Sequence, residues 1–510
     1  MKTILEYLEQ TEKKYPDSTA VEDLEGTMTW SQIGRLSRQM GTAFAARTKR
    51  GRPAVILAEK SRTVLAAMLG VVYAGCFYVM ADPSLPAARI REILHILEPE
   101  LVVTEEKHMP LLQETGFSGR ICLLKEAGRE NADPELLGKI REQSRDTDLL
   151  YGIFTSGSTG TPKGIVVSHR AAGDFIFHFT ETFGFTEKDR IGNQAPFDFD
   201  VSVKDIYTCV MTGAALVIIP RSLFSSPPLL LDYLCEREIT TLIWAVSALT
   251  LVSSLKGLRY RIPEKVKRIL FSGEVMPARQ LALWREALPK TEFVNLYGPT
   301  EITCNCTYYR IGKNFQEKDK LPVGRPFPGR KVFLLDEKGR EISEPEKTGE
   351  ICVTGESLAE GYYRNPEETG KRFIQYSFED GSRQRCYCTG DLGYWGADGE
   401  LYFSGRKDFQ VKHMGHRIEL EEIERALEQI PGLERSCCIL DTRRNQLAAF
   451  YLGEAFPEEI RREMKRKLPV YMIPHRLFRV SSMPLNKNGK TDRSYFRKLL
   501  EEGKACVQKD

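Results

Sequence analysis

Short apolar runs alternate with longer amphipathic stretches through most of this chain. Ala54-Val55-Ile56-Leu57-Ala58 has the strand pattern, and Thr63 to Val72 then has the helical one. Leu101-Val102-Val103-Thr104, Leu216 to Ile219, Thr241 to Trp244 and Arg268 to Phe271 are further apolar runs of strand length. Helix-length segments separate them, at 84–97, 229–237 and 278–287. Strands alternating with helices predict an α/β fold whose mixed or parallel sheets are flanked by helices on both faces. From about Leu321 the rhythm shortens, and Gly turns at 336–340 and 397–400 predict an antiparallel, barrel-like subdomain. A polar, Gly-bearing break at 404–427 opens the amphipathic helix at 420–430, in which Leu420, Ile423, Leu427 and Ile430 share one face. A strand at 446–452 and a charged helix at 458–468 follow. The expected organisation is a large core, 1–405, and a small α+β lid, 406–510, hinged near Asp408.

Composition narrows the class. The 510 residues are 42% hydrophobic and 28% charged, with a formal net charge of +3, too small and too mixed in sign to argue for nucleic acid. No apolar run approaches the ~20 residues of a membrane span, and the N-terminus lacks a signal-peptide pattern. The twelve cysteines show neither CxxC spacing nor a partnering His, which favours reduced thiols over a metal or disulfide framework and a cytoplasmic setting.

Candidate chemistry begins at residues 154–164, FTSGSTGTPKG, directly after the apolar run at 149–154. Gly allows backbone N–H groups to approach a ligand, hydroxyls donate hydrogen bonds and Lys163 adds charge, a combination suited to polyphosphate. A plain solvated turn has the same composition. The Walker spacing is absent: Lys163 is followed by Gly164, and Gly489-Lys490-Thr491 lacks the earlier Gly because position 484 is Pro.

The loop resembles that of the adenylate-forming enzymes, which comprise acyl-CoA synthetases, luciferases and the amino acid adenylation domains of nonribosomal peptide synthetases. The resemblance runs in order through MTWSQI (28–33), YAGCFYVMADPSLP (73–86), NLYGPTE (295–301), GEICVTGESLAEGYYRNPEET (349–369), YCTGDLGYW (387–395), GRKDFQVKHMGHRIELEEIE (405–424), LPVYMIPHRL (468–477) and PLNKNGKTDR (484–493). It implies ATP and Mg2+ as cofactors, formation of an acyl-adenylate with release of pyrophosphate, and capture of the acyl group by a thiol. It assigns Thr155, Ser156, Gly157, Ser158, Thr159, Gly160 and Lys163 to the departing phosphates. Asn295, Tyr297 and Gly298 fall to the adenine side, Thr300 to phosphate, Glu301 to the metal ion, and Asp391 with Arg406 to the ribose. Lys490 becomes the catalytic cation between substrate carboxylate and α-phosphate, and Asp408 the hinge.

Within APFDFDVSVKDIY (195–207), Asp200 holds the register of the carboxylate that binds the α-ammonium in amino-acid-activating members, which fatty- and aryl-acid-activating relatives lack. The run reads as a strand with Asp198 and Asp200 on one face. The side-chain pocket carried over by the resemblance is Val201, Lys204, Leu249, Leu270, Ser272, Gly273, Leu296, Cys304 and Asn305. Lys204 either pairs with an acceptor on the substrate or runs its head away and fills volume, the second being the plainer expectation. The stretch is also similar to D-alanine–carrier protein ligases, except that Ser272 stands where those have Cys and Lys204 where they have a neutral residue. No phosphopantetheine attachment stretch follows Arg493, so the thiol is expected in trans on a carrier protein, with the basic cluster Arg461, Arg462, Lys465, Arg466 and Lys467 as one possible contact. An acyl- or aryl-CoA synthetase, and a catalytically inactive nucleotide-binding regulator, are the competing expectations.

Overall fold

The computed structural model describes residues 2–157, 161–313, 315–485 and 491–502. Among them, two large sheets share one core. The first has nine strands, with Arg190–Asn193, Ala215–Ile218, Thr241–Ala245, Arg268–Ser272 and Glu292–Tyr297 running parallel through its centre. The second has seven, centred on Pro53–Leu57, Phe77–Ala81, Leu101–Thr104 and Leu149–Thr155.

Side-chain alternation explains why these strands read as unbroken apolar runs. On Arg268–Ser272, Leu270 enters the core between the sheets while Ile269 and Phe271 enter an outer core. On Pro53–Leu57, Ala54 and Ile56 face inward and Val55 and Leu57 face a third core under the helix Ala87–Leu97. Both faces are buried, so both must be apolar. The helices Trp30–Ala45, Arg62–Tyr73, His169–Phe183 and Val201–Thr212 supply the material between the sheets. Trp30–Ala45 begins with a reciprocal cap between Thr29 and Gln32. The layers are thus helix, sheet, helix, sheet, helix.

The change of rhythm after Leu321 is a five-stranded antiparallel sheet containing Arg330–Leu335, Gly349–Gly355, Phe373–Ser377, Arg383–Trp395 and Leu401–Arg406. Beyond it, the hairpin Gln410–His413/His416–Glu419 leads into the helix Leu420–Glu428 and a sheet of Leu433–Asp441, Gln446–Gly453 and Arg476–Arg479. Residues from Ile418 onward build cores of their own around Ile423, Leu447, Ile460 and Phe450.

One local expectation fails. The segment 195–200 is a turn, not a strand, and Asp200 is the N-cap of the helix Val201–Thr212, with φ −62° and ψ −24°. Val201 and Val203 favour strands intrinsically, but this helix is buried on nearly every side and has no polar face to display a helical period.

Candidate active site

Between the two sheets' C-terminal edges and the small domain lies a cleft of about 2480 Å³, larger than a typical single-ligand pocket of ~300–1,000 Å³. Thr155 and Ser156 line it, as do Asn295, Tyr297, Thr300, Asp391 and Arg406. The hairpin 410–419 closes one side with Lys412, His416 and Arg417.

Parallel strands deliver these groups because their C-terminal ends converge. Glu292–Tyr297 carries Asn295 and Tyr297 to the rim, and a tight turn then presents Thr300 and Glu301. Gly298 is required there: a Cβ would lie 2.5 Å from Asn305 Cα. Thr303 and Cys304 both adopt positive φ, 55° and 74°, which folds Asn305 back under the turn.

The Tyr297 hydroxyl donates to Asp391 Oδ2 at 2.7 Å. Asp391 lies opposite Arg406 in the antiparallel register, and Arg406 donates to its other oxygen. The same guanidinium donates to both oxygens of Asp408, at 2.6 and 2.7 Å. One arginine therefore ties the expected ribose group to the expected hinge. Asn295 is spent on structure, its amide donating to Pro322 O at 2.7 Å.

The phosphate-loop residues are engaged by other parts of the chain. The Ser156 hydroxyl donates to Arg417 O at 2.7 Å and accepts from Glu419 N at 3.1 Å. Gly157 N donates to Glu422 Oε2 at 3.2 Å, and Glu422 also accepts from Arg89 at 2.8 Å. Lys163, at the start of the next strand, is paired with Glu368 at 2.6 Å. A Cβ on Gly157 would lie 1.9 Å from Thr161 O, so glycine is obligatory. Ser158, Thr159 and Gly160 lie outside the described residues, as does Lys490. The flanks of Lys490, Leu485 and Thr491, bridge to each other, and neither lines the cleft.

Glu301 is 1% exposed. Arg417 Nη1 donates to both its oxygens, at 2.9 and 2.7 Å, and the Tyr362 hydroxyl donates at 2.7 Å. Burial alone would push the Glu301 carboxyl up, but Arg417, Tyr362 and Tyr387 outweigh it and hold the group below its ordinary value. Tyr362 lies within the motif stretch 349–369, and Lys412 and Arg417 within 405–424, but no local pattern marks them. Their role depends on reaching across from other elements.

Thr300, expected at phosphate, donates its hydroxyl to Asp200 Oδ2 at 2.7 Å. Asp200 sits just behind the cleft wall that Phe199 and Thr300 form. Burial pushes its carboxyl up, against the Thr300 hydrogen bond and the charges of Lys204 and Lys412. Cys304 Sγ donates to Asp200 O at 3.1 Å.

Of the expected side-chain pocket, Lys204 joins Ser272 and Asn305, and none of the three lines the cleft. Val201, Leu270, Ser272, Leu296, Cys304 and Asn305 are all buried, and Gly273 lines the cleft. Lys204 corrects its plainer expectation. Its head does not run to solvent: the residue is 1% exposed and donates to Asn305 Oδ1 at 2.8 Å and Ser272 Oγ at 3.3 Å. Leu249 belongs elsewhere. It packs in the outer core with Phe271 and Trp284, while Val246, Ser247 and Thr250 of its helix face the cleft.

The basic cluster lies on the helix Pro457–Lys467, where Arg466 pairs with Glu463 at 3.1 Å and Lys467 donates to Gln429.

Layered sheets meeting at a cleft under a small domain define an α/β architecture with its candidate site between domains. A model of the AMP-binding enzyme family matches residues 8–363, so the chain belongs to that family. The L-proline–[L-prolyl-carrier protein] ligase of Streptomyces coelicolor is 33% identical over 475 residues, 87% of each chain. Tyrocidine synthase 1 of Brevibacillus parabrevis is 31% identical over 501 residues, and this chain spans 44% of its length. The Vibrio cholerae adenylation domain AlmE, solved with glycyl-adenosine-5'-phosphate, has a TM-score of 0.85 over 98% of both chains at 21% identity, a likeness of fold. Among the described residues no helix is long and apolar enough to cross a membrane.

Proposed function

We propose that this protein activates an amino acid with ATP and then hands the aminoacyl group to a carrier protein. In the first step a substrate carboxylate oxygen attacks the α-phosphorus of ATP, forming the aminoacyl-adenylate and releasing pyrophosphate. In the second, the phosphopantetheine thiolate of the carrier attacks the activated carbonyl and AMP leaves. The observation that carries the reading is Asp200, a buried carboxylate held beside the cleft by Thr300. A substrate ammonium is the natural partner for such a group. A fatty or aryl acid would leave it without a contacting ion-pair partner, which disfavours the CoA-synthetase reading. The proline–carrier ligase relative supports both the substrate class and the thiol acceptor.

In this reading the Tyr297 ring packs on adenine and Asp391 accepts the ribose hydroxyls. The 155–163 loop, including Ser158, Thr159 and Gly160, holds the departing phosphates. Lys490 supplies the cation where carboxylate and α-phosphate meet. Mg2+ fits the donors available, since it takes few protein carboxylates and completes its shell with phosphate oxygens and water. Glu301 is the candidate protein ligand, and bound Mg2+ would neutralise phosphate charge.

The arrangement of the small domain supports a two-pose cycle. With the hairpin 410–419 seated, Glu301, Ser156 and Gly157 are all bonded to residues of 406–510. We assign this pose to thiol transfer, and assign adenylation to a second pose, reached about Asp408, that frees these groups for ATP.

The test is amino-acid-dependent ATP–pyrophosphate exchange, with Asp200→Ala and Lys490→Ala as controls. Exchange with an amino acid, lost in both variants, is the expected result. Exchange only with acids that lack an amine would overturn the assignment of Asp200. ATP binding without exchange on any acid would favour an inactive regulator.

A further inference from the structure

We propose that Cys352 and Cys388 are a modification site: oxidation by a peroxide joins them in a reversible disulfide that weakens nucleotide binding at the cleft. These are thiols that the proposed reaction does not use.

Three thiols share one face of the five-stranded sheet. Cys352 on Gly349–Gly355 stands directly opposite Cys388 on Arg383–Trp395, and Thr354 stands opposite Cys386. Alternation along Arg383–Trp395 puts Cys386 on the same face as Cys388. They pack with Phe333, Leu335 and Phe378, apart from the main core. Cys352 and Cys386 are fully buried, whereas Cys388 is half-buried. Cys352 Sγ donates to Cys388 Sγ at 3.4 Å. Opposite Cα atoms in an antiparallel pair are ~4.5–5.5 Å apart, inside the ~4.4–6.8 Å that a disulfide spans. The described cysteines are all free thiols.

The three differ in reactivity. Hydrogen bonds from the Cys352 and Cys386 thiols, then the charges of Arg372 and Lys407, hold the Cys388 thiol well below its ordinary value against burial. Donating to Cys388, and then burial, push the Cys352 and Cys386 thiols up. The thiolate is the nucleophile, so the accessible member of the cluster is also the reactive one.

The Cys388 thiolate attacks one oxygen of hydrogen peroxide, the O–O bond breaks, and the departing hydroxide takes a proton from solvent. Cys388 is then a sulfenic acid. The Cys352 sulfur attacks the Cys388 sulfur, the S–O bond breaks, and the departing hydroxide takes the Cys352 proton and leaves as water. The two thiols lose two electrons, and one hydrogen peroxide becomes two waters. A dithiol reductant reverses the link by thiol–disulfide exchange.

Position gives the link its effect. Cys352 and Cys388 are the last pair before a bulge: the next pair is Glu350 with Leu392, so 389–391 stand against Ile351 alone. The Thr389 hydroxyl donates to Ile351 O at 2.8 Å and accepts from Asp391 N at 2.9 Å. Asp391 is the expected ribose acceptor. Gly390, at φ 75°, is packed among hinge residues: a Cβ there would lie 3.0 Å from Arg406 Nη2 and 3.3 Å from both Arg372 Nη1 and Asp408 Oδ2. Drawing the strands together at Cys388 shifts Thr389, and Asp391 with it. It also removes the anion that Arg372 and Lys407 face, leaving these cations to Asp408 and Glu350, at 3.8 and 2.8 Å.

The experiment treats the reduced full chain with hydrogen peroxide and takes two readings. The first needs no substrate: tryptic peptides mapped by mass spectrometry without reductant. A link between 348–364 and 386–406 is expected in wild type and Cys386→Ser, and its absence in Cys352→Ser and Cys388→Ser. The second is the Kd for ATP with Mg2+, which should rise at least fivefold in oxidised wild type and recover with dithiothreitol. Reduced Cys388→Ser should bind ATP within about twofold of wild type, and peroxide should leave its Kd unchanged. Cys352→Ser takes its place should that variant fail to fold. Oxidation of Cys388 to a sulfinic acid with no link, or a link only between two chains, overturns the proposal. A link with unchanged ATP affinity overturns its control of the nucleotide site. Reduced wild type that binds no ATP overturns that control and the nucleotide site together.

Discussion

A single nitrogen of Arg417 donates to both carboxylate oxygens of Glu301, at 2.9 and 2.7 Å, across 116 residues of chain. The pair joins the hairpin of the small domain to the turn that ends a core strand. It is buried, and breaking one side of such a pair costs about 3–5 kcal/mol. In the proposed two-pose cycle, Glu301 holds the hairpin in the pose seen here and is released in the other.

Arg417→Ala should separate the two half-reactions. Thiol loading should fall at least tenfold, because the seated pose loses its main tie. Pyrophosphate exchange should stay within about twofold. Measuring both on one preparation checks this, and equal losses would place Arg417 in adenylation as well.

His416 should make docking of the hairpin depend on pH. Its ring stacks on Tyr471 at 3.6 Å and meets Phe199 at 5.5 Å. Burial, followed by the charge of Arg221 and the neighbouring His413, pushes its pKa down to about 4, while Asp82 pulls weakly upward. A depressed histidine contributes stability above its free pKa, near 6.5, that is lost as pH falls toward the docked value. Resistance of the 406–419 segment to limited proteolysis should thus decline between pH 6.5 and about 4. His416→Phe, which keeps the stacking, should flatten that decline.

Thr300→Val tests where this hydroxyl acts. Leaving Asp200 Oδ2 without its donor costs about 1–3 kcal/mol, so the KM for the amino acid should rise about tenfold or more. A rise in the KM for ATP instead would mean that the hydroxyl serves phosphate.

Gly157→Ala should spare the fold and damage nucleotide binding. The added methyl meets Thr161 O at 1.9 Å, backbone that cannot rotate away. The loop must shift, and the KM for ATP should rise at least tenfold while the unfolding temperature stays within a few degrees.

The sequence pattern made some elements legible to the residue and hid others for identifiable reasons. Leu101–Thr104 and Ala278–Ala287 fall where their periodicity puts them. The segment at Asp200 reads as a strand because a helix buried on nearly all sides shows no amphipathic period, and its valines favour a strand. For Lys204 the sequence leaves two readings open, a head paired with the substrate or one run away to fill volume. What keeps it inside are Asn305 and Ser272, 101 and 68 residues away, and no local pattern reports such partners. Leu249 followed its helix into the outer core because the cleft-facing side of that helix belongs to its neighbours. The motifs placed the groups at Asp391, Arg406 and Tyr297 near one another. The Arg417–Glu301 tie needed the three-dimensional closure.

The strand Arg268–Ser272 serves two cores at once, with Ile269 and Phe271 on one side and Leu270 on the other. Sliding it by one residue would exchange every side chain between layers. A point replacement at Leu270 or Ser272 alters one layer alone, whereas inserting or deleting a residue in the strand would scramble both layers together. The palette of the enzyme is open at single letters, and its spelling frame is locked.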